Sequence, residues 1–274
     1  MQFVDRALAR RLESAEEMPQ VHHARVYEKS HPETGAAVEE VGGGHAMFAG
    51  LGSPIGHAAG IGLDRPFTPE DLDRVEAFYR RHGAPSQVDL TPLHEPAIFE
   101  MFKQRGYAIA ELNNVLWRQL EPLDREQSYS AGVSFRRGRA EESRQFAAIL
   151  ARCFQEYMNP AEGFELMLAP LYEMPGVMTF VASDANQVIA VAAGLVIPEH
   201  KVLALFGAGT LPEHRRRGIQ AAMLDLRLRA GAEAGCEIAV VVTQGGTVSQ
   251  RNCERLGFRV AYSKATLVKP FPQI

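Results

Sequence analysis

Three consecutive arginines, Arg215, Arg216 and Arg217, stand immediately before Gly218. Guanidinium groups carry fixed charge and present planar forks that match phosphate oxygens. A glycine beside them lets an anion approach the backbone closely. If a helix begins here, its first N–H groups lack an intrahelical acceptor and its dipole offers a positive end. The combination describes a seat for a pyrophosphate-bearing ligand. The competing reading is a solvated basic turn without function, as most charge runs are. The flanking residues decide against it.

Ahead of the arginines, the apolar run from Leu203 reads as a strand, and Gly207 and Gly209 within it mark a bulge or a close backbone approach. Pro212 turns the chain. After Gly218, residues Ile219, Ala222, Met223, Leu226 and Ala230 recur on one face at helical spacing. A strand, an arginine loop and a helix thus follow in order. Two other phosphate motifs are absent from the sequence. No G-x-x-x-x-G-K-[ST] run exists, and the glycines at 50, 52 and 56 miss the G-x-G-x-x-G spacing by one residue.

On these residues the chain resembles the GNAT superfamily of N-acetyltransferases, whose pyrophosphate loop reads [RQ]-x-x-G-x-[GA] after a strand ending in x-x-P-E-x. Pro212, Glu213, Arg215 and Gly218 match, while Gln220 replaces the usual second Gly or Ala. A later block, Ser249 to Phe258 (SQRNCERLGF), resembles the family's S-x-R-x-x-E-x-L-G-F. The resemblance covers residues 131–274. It implies acetyl-CoA as acyl donor, with its pantetheine arm along Gly209, Thr210 and Leu211. Its pyrophosphate would lie on Arg215, Arg216, Arg217, Gly218, Ile219, Gln220 and Ala221, and Ser249 and Asn252 would contact the arm. The implied reaction is acyl transfer to a primary amine by direct attack in a ternary complex, making the chain an acetyl-CoA-dependent N-acetyltransferase. Many relatives place a tyrosine acid five residues before the Phe of the G-F pair; here that position is Cys253. Cys253 and Ser249 are candidates for the acid, beside solvent. Glu173, Glu199 and His200 are titratable residues near the acceptor side, with no motif to make any of them the base. The cysteine also leaves open a non-catalytic acyl-CoA-binding regulator.

The remaining composition restricts partners. A net charge of −4 gives no global basic field for nucleic acid or an anionic membrane. No apolar run has the length of a membrane span, and the N-terminus lacks a signal-peptide core. Cys153, Cys236 and Cys253 are scattered, and His22 and His23 lack a third ligand at useful spacing, so no metal is expected and the histidines read as surface or partly buried. The expectation is a cytoplasmic enzyme acting on a small-molecule or protein amine. A homodimer is compatible with it.

In chain order, an amphipathic surface helix opens the sequence, followed by strands at Ala24–Lys29, Ala36–Val41, His45–Ala49 and Gly56–Leu63. Thr68 and Pro69 start a helix that Gly83 ends, and Gln87–Leu90, Pro96–Arg105 and Tyr107–Arg118 read as strand, helix and strand. Gly83 to Gly106 spans 23 residues, and Gly235 to Gly257 spans 22, at corresponding places. The first half therefore reads as a degenerate repeat, lacking R-x-x-G after Leu63. The expected fold class is α+β: two tandem GNAT-like domains, 1–124 and 131–274, each a mostly antiparallel central sheet flanked by helices, the second binding acetyl-CoA. Two unrelated α+β segments remain the alternative. In the second half, a strand near Val133–Phe135, helices over Glu141–Met158 and Gly163–Met174, and a hairpin around Asp184–Gln187 precede the arginine loop. Phe164, Met167, Leu168, Leu171 and Tyr172 would line the acceptor side or pack in the core. Arg259–Val268 would close the second sheet.

Overall fold

The computed structural model of the chain describes residues 3–51, 53, 55–120, 132–155 and 164–271. It divides into two compact units, Met1–Leu116 with Val242–Thr247 and Val260–Ile274, and Trp117–Val241 with Val248–Arg259. The elements in chain order are α1 (Arg6–Ser30), β1 (Ala37–Val41), β2 (Gly44–Phe48), α2 (Pro69–Arg81), β3 (Ser86–Leu90), α3 (Pro96–Gln104) and β4 (Ala108–Gln119). They continue with β5 (Val133–Arg137), α4 (Ser143–Phe154), α5 (Phe164–Leu168), β6 (Val177–Asp184), β7 (Gln187–Ile197) and β8 (Val202–Thr210). The last are α6 (Ile219–Glu233), β9 (Ile238–Gln244), α7 (Val248–Arg255) and β10 (Arg259–Lys269).

In the first unit, β1 and β2 form a hairpin whose turn, Gly42-Gly43, takes two positive φ angles. Strands β3, β10 and β4 lie side by side in that order. Its core gathers Phe48, Leu72, Val75, Phe78, Val88, Phe102 and Leu267. Helix α2 starts as the sequence predicts: Thr68 accepts from Asp71 N–H and the Asp71 carboxylate accepts from Thr68 N–H, a reciprocal cap.

Three expectations for this unit fail. Ala24–Lys29 is the last part of α1, not a strand. The face that α1 buries carries Glu13, Ser14, Glu17, Gln20 and His23 among its apolar residues, and this polarity hid the helical period. His23 is accordingly fully buried rather than at the surface. Gly56–Leu63 makes only isolated bridges at Ala58 and Ala59, because Gly60 and Gly62 turn the chain with positive φ. Finally, Arg259–Lys269 does not close the second sheet. It pairs antiparallel with β3, Ala265 opposite Leu90 and Lys269 opposite Ser86.

That pairing carries polar side chains into the interior of the first unit. The Lys264 ammonium, 1% exposed, contacts Glu16 and lies 3.4 Å from Glu13 and 3.2 Å from Asp89. Tyr262 donates to Glu13 (2.8 Å) and Thr266 donates to Asp89 (2.7 Å). Burial alone would raise the Asp89 carboxyl, but Lys264 and His57 hold it below the usual carboxylate range.

The second unit orders its strands β5-β6-β7-β8-β9. Neighbours are antiparallel from β5 to β8, and β9 is parallel to β8. Asn186 and Ala185 turn the β6–β7 hairpin with positive φ, as the Asp-Ala-Asn-Gln sequence predicts. Phe180, Ile189, Ala190, Ile219, Met223 and Ala230 pack where α6 covers the sheet. The helix expected over Glu141–Met158 begins as a short 3₁₀ turn and is α-helical from Ser143 to Phe154; Tyr157 and Met158 lie outside the described residues. So does Gly163, expected to open the second helical stretch, and so does nearly all of the expected domain boundary after Leu120.

Candidate functional site

Strand β8 is the element on which the site is built. Its ladder with β7 runs from Val202 opposite Ile197 to Phe206 opposite Ala193, then shifts and resumes at Gly209 opposite Val191. The shift is a β-bulge, and Gly207 within it has φ +54°. The ladder with β9 covers only Val202–Leu205 against Ile238–Val241, although β8 continues to Thr210. The outer half of β8 therefore keeps β7 on one edge and has left β9 on the other.

The face of that outer half is shaped by close packing. A Cβ at Gly209 would lie 2.8 Å from Cys153 Sγ and 2.9 Å from its Cβ, so α4 seats on β8 only because glycine stands there. Tyr172, buried in the 3₁₀ turn after α5, donates its hydroxyl to Gly207 O at 2.9 Å and stacks edge-on with Phe146. The bulge is thus held open by a side chain from outside the strand. Phe164, Leu168 and Leu171 are also buried, and Met167 is half-buried, so this segment serves chiefly as packing.

Beyond Thr210, Leu211 N–H donates to Ile189 O (2.9 Å), and a 3₁₀ turn at Pro212–His214 delivers the arginines. They are not equivalent. Arg215 donates Nε to Thr210 O (3.1 Å), fixing the loop to the end of the strand. Arg217 pairs with Asp184 at 2.6 Å, which lowers the Asp184 carboxyl. Arg216 is exposed and adopts φ +63°, an unusual conformation for a side chain of its size. Of the three guanidinium groups, Arg217 thus has a carboxylate partner within the chain.

Gly218 caps α6 with φ +73°, a left-handed conformation that glycine takes without strain. The first backbone bond of the helix joins Ala222 N–H to Gly218 O (3.1 Å). The N–H groups of Ile219, Gln220 and Ala221 thus precede the ladder, and the first turn holds no acidic residue. Gln220, the departure from the motif, accepts from Asn252 Nδ2 on α7. The amide expected to reach the acyl donor's arm is engaged by the substituted residue. Ser249 is half-buried in the first turn of α7.

Cys253 is 4% exposed, and burial pushes its thiol up to about 11, only partly offset by Arg227. A thiol held that far from neutrality is a poor proton donor at pH 7. Of the titratable candidates for a base, Glu173 accepts from Ser143 Oγ (2.5 Å), while Glu199 and His200 sit on the turn between β7 and β8. The sequence reading missed Arg227. It falls four residues after Met223 on the face α6 buries, and a charge at a core position was the sign that could have found it.

Among the described residues, no cluster of three metal-ligating side chains occurs and no helix is long and apolar enough to cross a membrane. The description "Acetyltransferase (GNAT) family" matches residues 144–258. No curated protein sequence matches the chain. Among solved structures, a GCN5-related N-acetyltransferase from Kribbella flavida is similar at 19% identity, over 91% of this chain and 96% of its own, with a TM-score of 0.63. A tandem GNAT protein from the clavulanic acid biosynthesis pathway is similar at 14% identity, over 92% and 89%, with a TM-score of 0.59. A GCN5-related N-acetyltransferase from Sphaerobacter thermophilus follows at 16% identity, over 75% and 67%, with a TM-score of 0.55. The strand that parts from its neighbour and the glycine-capped helix both lie within residues 144–258, the stretch that matches the GNAT acetyltransferase description, in a fold similar to that of a tandem GNAT protein.

Proposed function

We propose that the chain is an N-acyltransferase of the cytoplasm that moves an acetyl or other short acyl group from acyl-CoA to a primary amine by direct attack in a ternary complex. The observation that carries this reading is the start of α6, where three N–H groups follow a left-handed glycine with no acid in the first turn. A pyrophosphate there would gain both the N–H donors and the helix dipole. From that point the pantetheine arm would run along the β8 edge at Gly209, Thr210 and Leu211, taking the hydrogen bonds that β9 no longer takes. The amine acceptor, small molecule or protein, would approach the thioester beside the bulge. Aligning amine and carbonyl supplies most of the rate in such a reaction, which suits a site with few reactive side chains. The domain that does this would be residues 131–274, with residues 1–124 a repeat that has kept its core and lost the seat.

One observation favours a second reading. Cys253 is buried and a weak acid where relatives place a tyrosine, which fits a protein that binds acyl-CoA as a regulatory signal without turning it over. Titration calorimetry with acetyl-CoA, combined with a thiol-release assay over a panel of amines, separates the two. Stoichiometric binding with thiol release supports transfer, and tight binding without release across the panel supports the regulator. Absence of binding would remove both.

A further inference from the structure

Among the described residues of the second unit, Arg227 is the one buried guanidinium, and it lies outside the arginine loop. It is 4% exposed, and its two hydrogen bonds go to backbone carbonyls: Nε to Met223 O and Nη1 to Ala193 O, both 3.0 Å. Among the described residues no carboxylate lies within ion-pair distance of it. A buried cation normally pairs with an acid or loses its charge. This one keeps three of its five N–H donors beyond those two bonds.

Its position is informative. Ala193 is the β7 residue at the edge of the bulge, opposite Phe206. Through its Nη1 bond to Ala193 O the guanidinium is tied to the strand position beside the bulge. The titratable groups that face it are Cys253 on α7 and Tyr172 on the turn after α5, and Cys153 lies beyond Tyr172. Burial pushes both Cys253 and Tyr172 further above their ordinary values, so neither supplies a negative charge at pH 7.

Resting on the acyltransferase reading above, we propose that Arg227 is a positioning residue whose charge stabilises the CoA thiolate released at the bulge. In the step, the amine nitrogen attacks the thioester carbonyl carbon, the C–N bond forms and the C–S bond breaks. The bonding pair leaves on sulfur, and the ammonium proton passes to water. The sulfur becomes an anion at the moment of departure, beside the bulge to which the Arg227 cation is tied through Ala193. Electrostatic stabilisation of the leaving group then stands in for its protonation, and no strong acid is required at Cys253.

The test compares CoA with desulfo-CoA, which lacks the thiol, by calorimetry between pH 7 and 9.5. With the parent protein, CoA affinity should rise about tenfold relative to desulfo-CoA across that range, and the bound thiol should ionise, by its ultraviolet thiolate absorbance, below its ordinary value near ~8.5. Arg227→Gln should abolish the rise and lower kcat tenfold or more with little change in KM for acetyl-CoA. Arg227→Lys should keep the rise in part. Parallel pH profiles for CoA and desulfo-CoA in the parent would overturn the proposal, as would a rise that survives in Arg227→Gln. So would a loss in Arg227→Gln confined to carboxylated acyl donors such as succinyl-CoA, which would assign the cation to a carboxylate. If the glutamine variant does not fold, the parent titration and the lysine variant decide. Failure of both CoA and desulfo-CoA to bind would instead refute the acyl-CoA reading.

Discussion

Two helices of this chain begin in opposite ways. Helix α2 starts on a threonine whose cap is completed by Asp71, with Glu70 beside it, and Arg65 grips Asp71 through two bonds of 2.7 and 2.8 Å. Those bonds, outweighing burial, lower the Asp71 carboxyl to about 2. The positive end of that dipole already has its anion, built into the sequence. Helix α6 starts on a glycine with no side-chain cap and no acid in its first turn. The buried cations repeat the contrast. Lys264 is surrounded by Glu13, Glu16 and Asp89, whereas Arg227 meets only carbonyl oxygens. A charge satisfied within the chain builds the fold; one left open is, on the proposals above, where a ligand arrives.

The largest expected effect breaks the second half of that contrast. Lys264→Met would strand Glu13 as a buried carboxylate without a cation and leave Asp89 with His57 alone, at a cost of about 3–5 kcal/mol. Arg227→Met loses no ion pair and should cost less than about half as much. Urea unfolding of both variants measures this, and equal losses would erase the distinction. Next comes Gly218→Asp, which puts a negative side chain where α6 offers its N–H groups, on a backbone that favours glycine. It should lower acetyl-CoA affinity by two to three decades, or about 3–4 kcal/mol at 1.4 kcal/mol per decade. Parent-like affinity in a folded variant would remove the seat from this loop. Cys253→Ala should leave the rate within about tenfold of the parent, since so weak an acid is easily replaced by solvent. A thousandfold loss would make it the acid after all. The smallest effect is at Arg216, where glycine relieves the positive φ; Arg216→Gly should stabilise the fold by up to about 1 kcal/mol while weakening acetyl-CoA binding mildly and in a salt-dependent way. A melting point below the parent's would show that the arginine makes a contact worth more than the strain.

The sequence made the α6 start legible because its signals are local. Pro212, the arginines, Gly218 and the spacing of Ile219, Met223 and Ala230 all lie within one strand-turn-helix, and each acts on its immediate neighbours. The capping of α2 was legible for the same reason. What escaped depends on residues far apart in the chain. Helix α1 buries charged residues because their partners come from β2 and β10 as well as from α1 itself, so its polar face read as solvent-facing and its second half as a strand. β10 itself alternates well enough to suit either sheet, and nothing within it says which edge it joins. The bulge was foreseen from its glycines, but Tyr172 bonding Gly207 and Arg227 bonding Ala193 link positions more than thirty residues apart. Nor could the motif reveal that Arg217 would be taken by Asp184.

The place of β10 also sets a schedule for making the protein. Asp89 and Lys264 are separated by 175 residues, and at a synthesis rate of about 5–20 residues per second roughly 10–35 seconds pass between them. During that interval the first unit has its hairpin, α2 and α3, but Glu13 and Asp89 wait without the lysine that neutralises them. The segment translated meanwhile includes β5 through α7, whose strands β5 to β9 pair in sequence order. On the ribosome, the half that begins first is therefore the half that finishes last.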